Sequence, residues 1–269
     1  MSGSRHTRTA LVTGASSGIG AEYARRLAEL GFGLVLVARR SDLLEDLGAE
    51  LRQNHSVPVS VLPADLSDPA GLERVEQRVR ADGDGGDRPI DLLVNNAGRG
   101  DGGPFTGLDP DAVDAVLDVN VRAVVRLARA VLPVQIARRE RGLKGPLGVI
   151  NVSSVVGRFT ANPGGSVYAA SKAFLNVWSE SVAIEAAPHG VHVTVVLPGY
   201  VRTDMSRGAQ EGGVPDFAFI PKDLVVRESL RAWAAGRTVV VPSAQYKAAD
   251  GLLRAVPRSL FRAVIRRIS

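Results

Sequence analysis

Short apolar runs and longer mixed segments take turns along nearly the whole chain. The runs "ALVTG", "FGLVLVA", "VPVSVLPA", "IDLLVNNAG", "LGVINVSS", "VHVTVVLPG" and "TVVVPS" are rich in β-branched residues and bounded by glycine, proline or aspartate, which marks each as a buried strand. Between them lie segments such as "GAEYARRLAELG", "SDLLEDLGAELRQN", "DAVDAVLDVNVRAVVRLARAVLPVQIARRE" and "YAASKAFLNVWSESVAIEAAPHG". Their apolar positions recur at intervals of three and four, the spacing of a helix with one buried face. Strands that are apolar throughout need helices on both faces of their sheet, so the alternation predicts an α/β fold with a doubly wound parallel sheet. No internal repeat divides the chain. The one low-complexity stretch, "ADGDGGDR" at 81–88, is too short for a linker and reads as a helix-to-strand loop. A single domain over 1–269 is expected, with its core at about 8–243.

Composition narrows the classes of function. At 269 residues, 45% hydrophobic and 23% charged, the chain can bury a sizeable core and is not a disordered one. The absence of cysteine excludes disulfides, thiolate metal sites and a cysteine nucleophile. No run approaches the roughly 18 apolar residues of a membrane span, and the opening "MSGSRHTRTALV" has no apolar signal core, so a cytoplasmic protein is expected. The formal charge of +5 is matched by Arg254, Arg258, Arg262, Arg266 and Arg267 of the tail. The rest is balanced and offers no electrostatic footprint for nucleic acid. His6, His55, His189 and His192 read as solvated residues of termini and loops, and no cluster suggests a metal.

Ligands of an open parallel sheet lie beyond the carboxyl ends of its strands, and those ends are polar here. The first strand runs into "TGASSGIG", with glycines at 14, 18 and 20 and a helix behind them. Backbone N–H groups and a helix dipole would face an anion there; the bland alternative is a plain turn using glycine for positive φ. The second strand ends in Arg39 and Arg40, where a dinucleotide site commonly has an acid for the ribose 2′-hydroxyl. Two guanidiniums favour a 2′-phosphate, hence NADP(H) over NAD(H), against the alternative of solvated strand-end residues. Asp65, ending the third strand, reads either as an acceptor for the adenine amino group or as the N-cap of a helix beginning near Pro69.

Tyr168 and Lys172 of "YAASK" stand four apart on a predicted helix and share a face. An ammonium beside a phenol favours phenolate, which would lower the tyrosine pKa toward neutrality and make Tyr168 a general acid/base. Ser154, fourteen residues earlier at the end of a neighbouring strand, offers a hydroxyl to the same substrate oxygen. A surface Tyr–Lys contact is the alternative.

Together "TGASSGIG", "ADLSD", "NNAG", "LDVNV", "INVSS", "YAASK" and "LPGYVRT", in this order from Thr9 into the 240s, resemble the short-chain dehydrogenase/reductase superfamily. The resemblance implies a Rossmann-like fold and hydride transfer between nicotinamide and a carbonyl or secondary alcohol. By position it implies a pyrophosphate loop at Gly14, Ser16, Ser17, Gly18, Ile19 and Gly20, with Arg39 at the 2′-phosphate. It further implies Asp65 and Leu66 at adenine, and Asn96, Ala97 and Gly98 as a ribose wall. Pro198 and Gly199 would lead to Val201 and Thr203 against the carboxamide or phosphates. Asn120, Ser154, Tyr168 and Lys172 match the catalytic tetrad. Tyr168 would protonate the alkoxide, Ser154 hold its oxygen, and Lys172 depress the tyrosine pKa and bind the nicotinamide ribose. Asn120 would fix a water joining Lys172 to solvent. Ser153 is expected to bond backbone. Homodimers or homotetramers are also implied.

Two features depart from the family pattern. The Ser-to-Tyr spacing is one residue longer, which places an insertion near Pro163, and residue 16 is serine where many NADP-preferring relatives carry a base. Cofactor preference then rests on Arg39 and Arg40. A non-catalytic NADP(H)-binding sensor or scaffold is the rival reading, and the intact tetrad argues against it. A sugar-nucleotide epimerase would need a larger carboxyl-terminal domain. The segment at about 202–221, with Phe217, Phe219 and Ile220, resembles a substrate lid and suggests an apolar substrate. The basic amphipathic tail at about 251–269 could dock on the protein or touch a membrane surface; its Pro257 break favours docking.

Overall fold

Alternation along the first strand sets the layers. In β1 (Thr9–Thr13) Ala10 and Val12 enter one apolar cluster and Leu11 enters another on the opposite face, as the period of two in a strand requires. The same split runs through β2 (Gly33–Ala38), where Leu34 and Leu36 oppose Val35 and Val37. The computed structural model, which describes residues 8–83, 85–159 and 161–255, continues with β3 (Val59–Pro63), β4 (Leu92–Asn95), β5 (Gly148–Val152), β6 (His192–Val196) and β7 (Val239–Val240). All seven pair in parallel, in the order β3-β2-β1-β4-β5-β6-β7.

Helices cover both faces. On one side α1 (Gly18–Glu29), α2 (Ser41–His55) and α8 (Lys222–Ala234) bury Tyr23, Leu27, Leu44, Leu51, Val225 and Trp233. On the other, α3 (Pro69–Arg80), α5 (Ala123–Glu140) and α6 (Ser166–Ala186) bury Leu72, Val75, Leu127, Val131 and Ala183. The remaining helices are α4 (Pro110–Leu117), α7 (Arg207–Glu211) and α9 (Ala244–Ala255). This is the Rossmann-like, doubly wound fold that the apolar pattern predicts. The direction of winding reverses between β1 and β4, and a crevice opens where their following loops part.

The structure departs from the sequence reading in several places. The continuous helix expected over 111–140 is three pieces: α4, a π-helical turn at Asp118–Arg122, and α5. His192 is no loop residue; it opens β6 and its Nδ1 lies 2.8 Å from the Trp233 carbonyl. Asp65 does not cap α3. Asp68 does, accepting from the Gly71 N–H at 2.7 Å, with Pro69 in the first turn where a missing N–H costs nothing. The lid segment contains α7 and two 3₁₀ turns, Asp204–Ser206 and Asp216–Ala218. The tail enters α9 as far as Ala255, and its residues beyond that point lie outside the described residues. Among the described residues no helix is long and apolar enough to cross a membrane.

Candidate active site

The crevice at the switch point is held together by a strand-end hydroxyl. Thr13 Oγ1 accepts the backbone N–H groups of Asn96 and Ala97 at 3.0 Å each, and the Asn96 amide donates to the Thr13 carbonyl at 2.9 Å. The loops after β1 and β4 are thus one unit. Their approach leaves no room for a side chain at residue 14: a Cβ on Gly14, at φ +67°, would stand 2.9 Å from both Ala97 Cα and Asn96 Nδ2. One on Gly20 would collide with the Gly14 carbonyl. Asn96 thus turns its amide N–H groups to the loop itself.

α1 begins at Gly18 with no side-chain cap on its first N–H groups. Those donors, at the positive end of the helix, remain for an anion. Ser16 and Ser17 flank them, and the Arg40 guanidinium donates to both hydroxyls, at 3.2 and 3.1 Å. Arg39 lies beside it, its Nη1 3.9 Å from Asp65 Oδ2 and largely exposed. Asp65 accepts the Ser67 N–H at 2.9 Å and its hydroxyl at 2.6 Å. Burial works against its charge, but the two Ser67 bonds, with Arg39 and Arg99, hold its carboxyl below the usual aspartate range. Leu66, next in chain, is buried in the sheet's second apolar cluster. On the far side of the crevice Thr203 lays its methyl near Gly18, while Val201 is buried and pairs with Ile220. Val201 can reach a ligand only through its backbone.

The four residues of the expected tetrad converge from different elements. Tyr168 is in the first turn of α6 and Lys172 one turn on. The Tyr168 hydroxyl faces the Ser154 side chain, whose influence favours the phenolate; Ser154 follows β5 and accepts the Val156 N–H at 3.2 Å. Lys172 Nζ lies 5.6 Å from the tyrosine ring centre, is buried, and donates to the Val152 carbonyl at 3.0 Å. Ser153 Oγ donates to the Lys172 carbonyl at 3.1 Å, a backbone bond that fixes the helix against β5.

Asn120 reaches this group because of the π-helical turn. The turn rotates it inward, where its Oδ1 accepts the Arg99 N–H and its Nδ2 donates to the Arg99 carbonyl, both at 2.9 Å. The same amide donates to Ser171 Oγ at 3.0 Å, and Ser171 donates to the Tyr168 carbonyl at 2.7 Å. Asn120 Oδ1 and Lys172 Nζ both approach Gly98, 3.4 and 3.7 Å from where a Cβ would be. Such π-turns are often found at functional sites.

The protonation states differ from the sequence reading. Burial, the larger effect, raises the Tyr168 phenol above its ordinary value, and the Ser154 side chain only partly opposes it. Burial also lowers the Lys172 ammonium to about 8, so it stays protonated near neutral pH but carries a charge that its surroundings disfavour. The enclosure that brings the two residues together penalises both ions.

One anchoring residue escaped the sequence reading. Tyr246 of α9 packs its ring over Gly199, accepts the Tyr200 N–H at 3.1 Å and donates to the Ala218 carbonyl at 2.8 Å. With the Val201–Ile220 pairing it pins both ends of the lid segment. Ile220 is thus a buried hinge pin and not part of an apolar lining. Phe219 packs on Tyr200 under the Arg202 guanidinium, and Phe217 alone of the three stands open to solvent. A lone aromatic in "SAQYKAAD" was the only trace of Tyr246 in the sequence. Pro198 joins the site through its carbonyl, 3.4 Å from Ser154 Oγ. Among the described residues no group of three His, Asp or Glu side chains could hold a metal.

A family model for short chain dehydrogenases matches residues 8–212. The chain is 35% identical over 210 residues to the oxidoreductase UcpA of Escherichia coli (strain K12), spanning 78% of this chain and 75% of that protein. A solved short-chain dehydrogenase from Sphingobium yanoikuyae, in complex with NADPH, is 36% identical with a TM-score of 0.79, covering 92% of this chain and 94% of that one. The bulky-bulky ketone specific alcohol dehydrogenase from Comamonas testosteroni is 32% identical with a TM-score of 0.76, covering 93% and 95%. Fold and crevice define a Rossmann-type oxidoreductase. The chain belongs to the short-chain dehydrogenase/reductase family and is an enzyme of that family.

Proposed function

We propose that the protein is an NADP(H)-dependent carbonyl reductase or alcohol dehydrogenase, with Asn120, Ser154, Tyr168 and Lys172 as its working residues. The observation that carries this reading is the Tyr168 phenol, facing Ser154 and flanked by Lys172, on the same chain as an uncapped helix-and-glycine cradle. When bound, the nicotinamide cofactor supplies or accepts the hydride.

The cradle fits such a cofactor. Gly14, Gly18, Ile19 and Gly20 with the free N–H groups of α1 suit a pyrophosphate, and Ser16, Ser17, Arg39 and Arg40 suit a 2′-phosphate. Asp65 keeps one oxygen clear of Ser67 to accept from adenine, with Leu66 beside it. Ala97, Gly98 and the backbone from Pro198 to Thr203 line the rest. The similarity to an NADPH complex supports the same preference.

At the reacting end the chain's own groups divide the task. Ser154 holds the substrate oxygen, and Tyr168 gives it a proton as charge develops there. A phenol raised by burial arrives protonated, which suits reduction of a carbonyl. Lys172 would donate from its ammonium to the ribose hydroxyls, which relieves the burial of its charge. Asn120 holds the Arg99 segment and Ser171 in place and keeps a lone pair of Oδ1 for a water beside Lys172.

The substrate we propose is an apolar ketone or secondary alcohol, enclosed by the loops after β4 and β5 and by the lid at 202–221. Phe217, Met205 and Tyr200 present exposed apolar surface on or beside that lid, and one relative is described as specific for bulky ketones. We further propose self-association through α6, where Phe174, Val177 and Ile184 recur at helical spacing and stand 42%, 67% and 76% exposed. NADPH oxidation across a panel of carbonyl compounds, with Tyr168→Phe alongside, tests the assignment.

A further inference from the structure

The helix that carries Tyr168 lacks a cap of its own. α6 starts after Gly165, a residue with no side chain to offer its first N–H groups. Asp101, in the loop that follows β4, supplies what is missing. Its Oδ2 accepts the Val167 N–H and its Oδ1 the Tyr168 N–H, both at 3.0 Å, across 66 and 67 residues of sequence. These are second- and third-position donors of the helix, the ones an N-cap side chain takes, and a carboxylate there also complements the helix dipole. One of the two N–H groups belongs to the residue that bears the phenol.

The same contact joins two walls of the cleft. Beside Asp101 the Gly103 N–H donates to the Gly164 carbonyl at 3.1 Å. Across from it Asn162 donates to the Gly165 carbonyl at 3.0 Å and accepts the Gly165 N–H at 3.2 Å, closing the turn before the helix. Farther along the turn, Ser171 already holds the Tyr168 carbonyl. On its amide side, the tyrosine depends on Asp101.

We propose that Asp101 is a positioning residue whose carboxylate ties the first turn of α6, and with it the Tyr168 phenol, to the loop after β4. Asp101 touches neither cofactor nor reacting atoms; it acts through Tyr168, and its effect on turnover rests on the role proposed for that phenol. Movement of the β4 loop against a substrate is passed to the proton donor through this carboxylate. A misplacement of about 1 Å is enough to cost roughly 100-fold in rate.

Asp101→Ala removes both acceptors, and Asp101→Asn keeps one. In the full chain, Asp101→Ala is expected to lower kcat for carbonyl reduction by roughly 10- to 100-fold while NADPH affinity, read by nucleotide fluorescence, stays at the wild-type value. Asp101→Asn recovers part of that loss. Amide hydrogen exchange accelerates at Val167 and Tyr168 in the alanine variant. Wild-type kcat in Asp101→Ala, or equal loss of NADPH affinity and kcat, would overturn the proposal. If Asp101→Ala fails to fold, an intermediate kcat and partial exchange protection in Asp101→Asn support it, and wild-type values refute it. If wild-type protein reduces no carbonyl, the functional reading fails separately, and exchange alone decides: protection lost only at the start of α6 supports the role of Asp101, and unchanged protection overturns it.

Discussion

The Arg40 guanidinium reaches back over the glycine-rich loop and donates to Ser17 Oγ at 3.1 Å, with Ser16 Oγ at 3.2 Å. A cation at the end of the second strand is thereby fixed above the hydroxyls and free N–H groups at the start of α1. Beside it, the Asp65 carboxylate faces Arg39.

Cofactor choice should follow from that pair of arginines. Charged hydrogen bonds of this kind contribute about 1.5–3 kcal/mol each, so Arg39→Ala or Arg40→Ala should weaken NADPH by roughly 10- to 100-fold. NADH, which has no 2′-phosphate, should be nearly unaffected. Titration of nucleotide fluorescence measures both, and equal losses for the two cofactors would refute the phosphate clamp.

Burial of Lys172 has a consequence for stability. Its ammonium falls from an ordinary 10.5 to about 8 in the folded chain, so below that value the folded state carries a charge it disfavours. Between about 8 and 10.5 the unfolded state binds more protons, and stability due to this group rises with pH. Lys172→Met should accordingly stabilise the cofactor-free protein by up to roughly 3 kcal/mol near neutral pH, with the advantage fading toward pH 10.5. Denaturant unfolding of both proteins across this range is the check. A difference that does not change with pH would contradict the burial effect.

The exposed stripe of α6 predicts an assembly that one charge can disrupt. Ile184→Arg places a guanidinium at the most exposed of the three apolar positions, where desolvation in an interface is costly. Light scattering should show the wild type as an oligomer and Ile184→Arg as a smaller species with an unchanged far-ultraviolet spectrum. Equal masses would remove α6 from the interface.

How much was legible in the sequence depended on whether a residue's partner was near in the chain. The seven strands were readable because each is a short run dominated by apolar and β-branched residues, and the ligand crevice followed from where those runs end. The π-turn at Asp118–Arg122 was hidden, since its residues keep the three-and-four spacing of a helix and the extra residue per turn leaves no compositional mark. Thr13 looks like the end of a strand, yet it ties two loops across more than 80 residues. Asp101 lies among glycines and finds its partners 66 and 67 residues on. The phenol–ammonium pair was found by spacing, but its protonation was misjudged because burial cannot be read from the interval between two residues.

Tyr168 is where the account can be tested most directly. Single-turnover reduction of a bulky ketone by NADPH, followed by nicotinamide absorbance, compares wild type with Tyr168→Phe, which removes only the hydroxyl. Loss of a positioned general acid should slow the step by roughly 100- to 10,000-fold while NADPH affinity remains that of the wild type. Turnover by Tyr168→Phe at the wild-type rate would contradict the assignment.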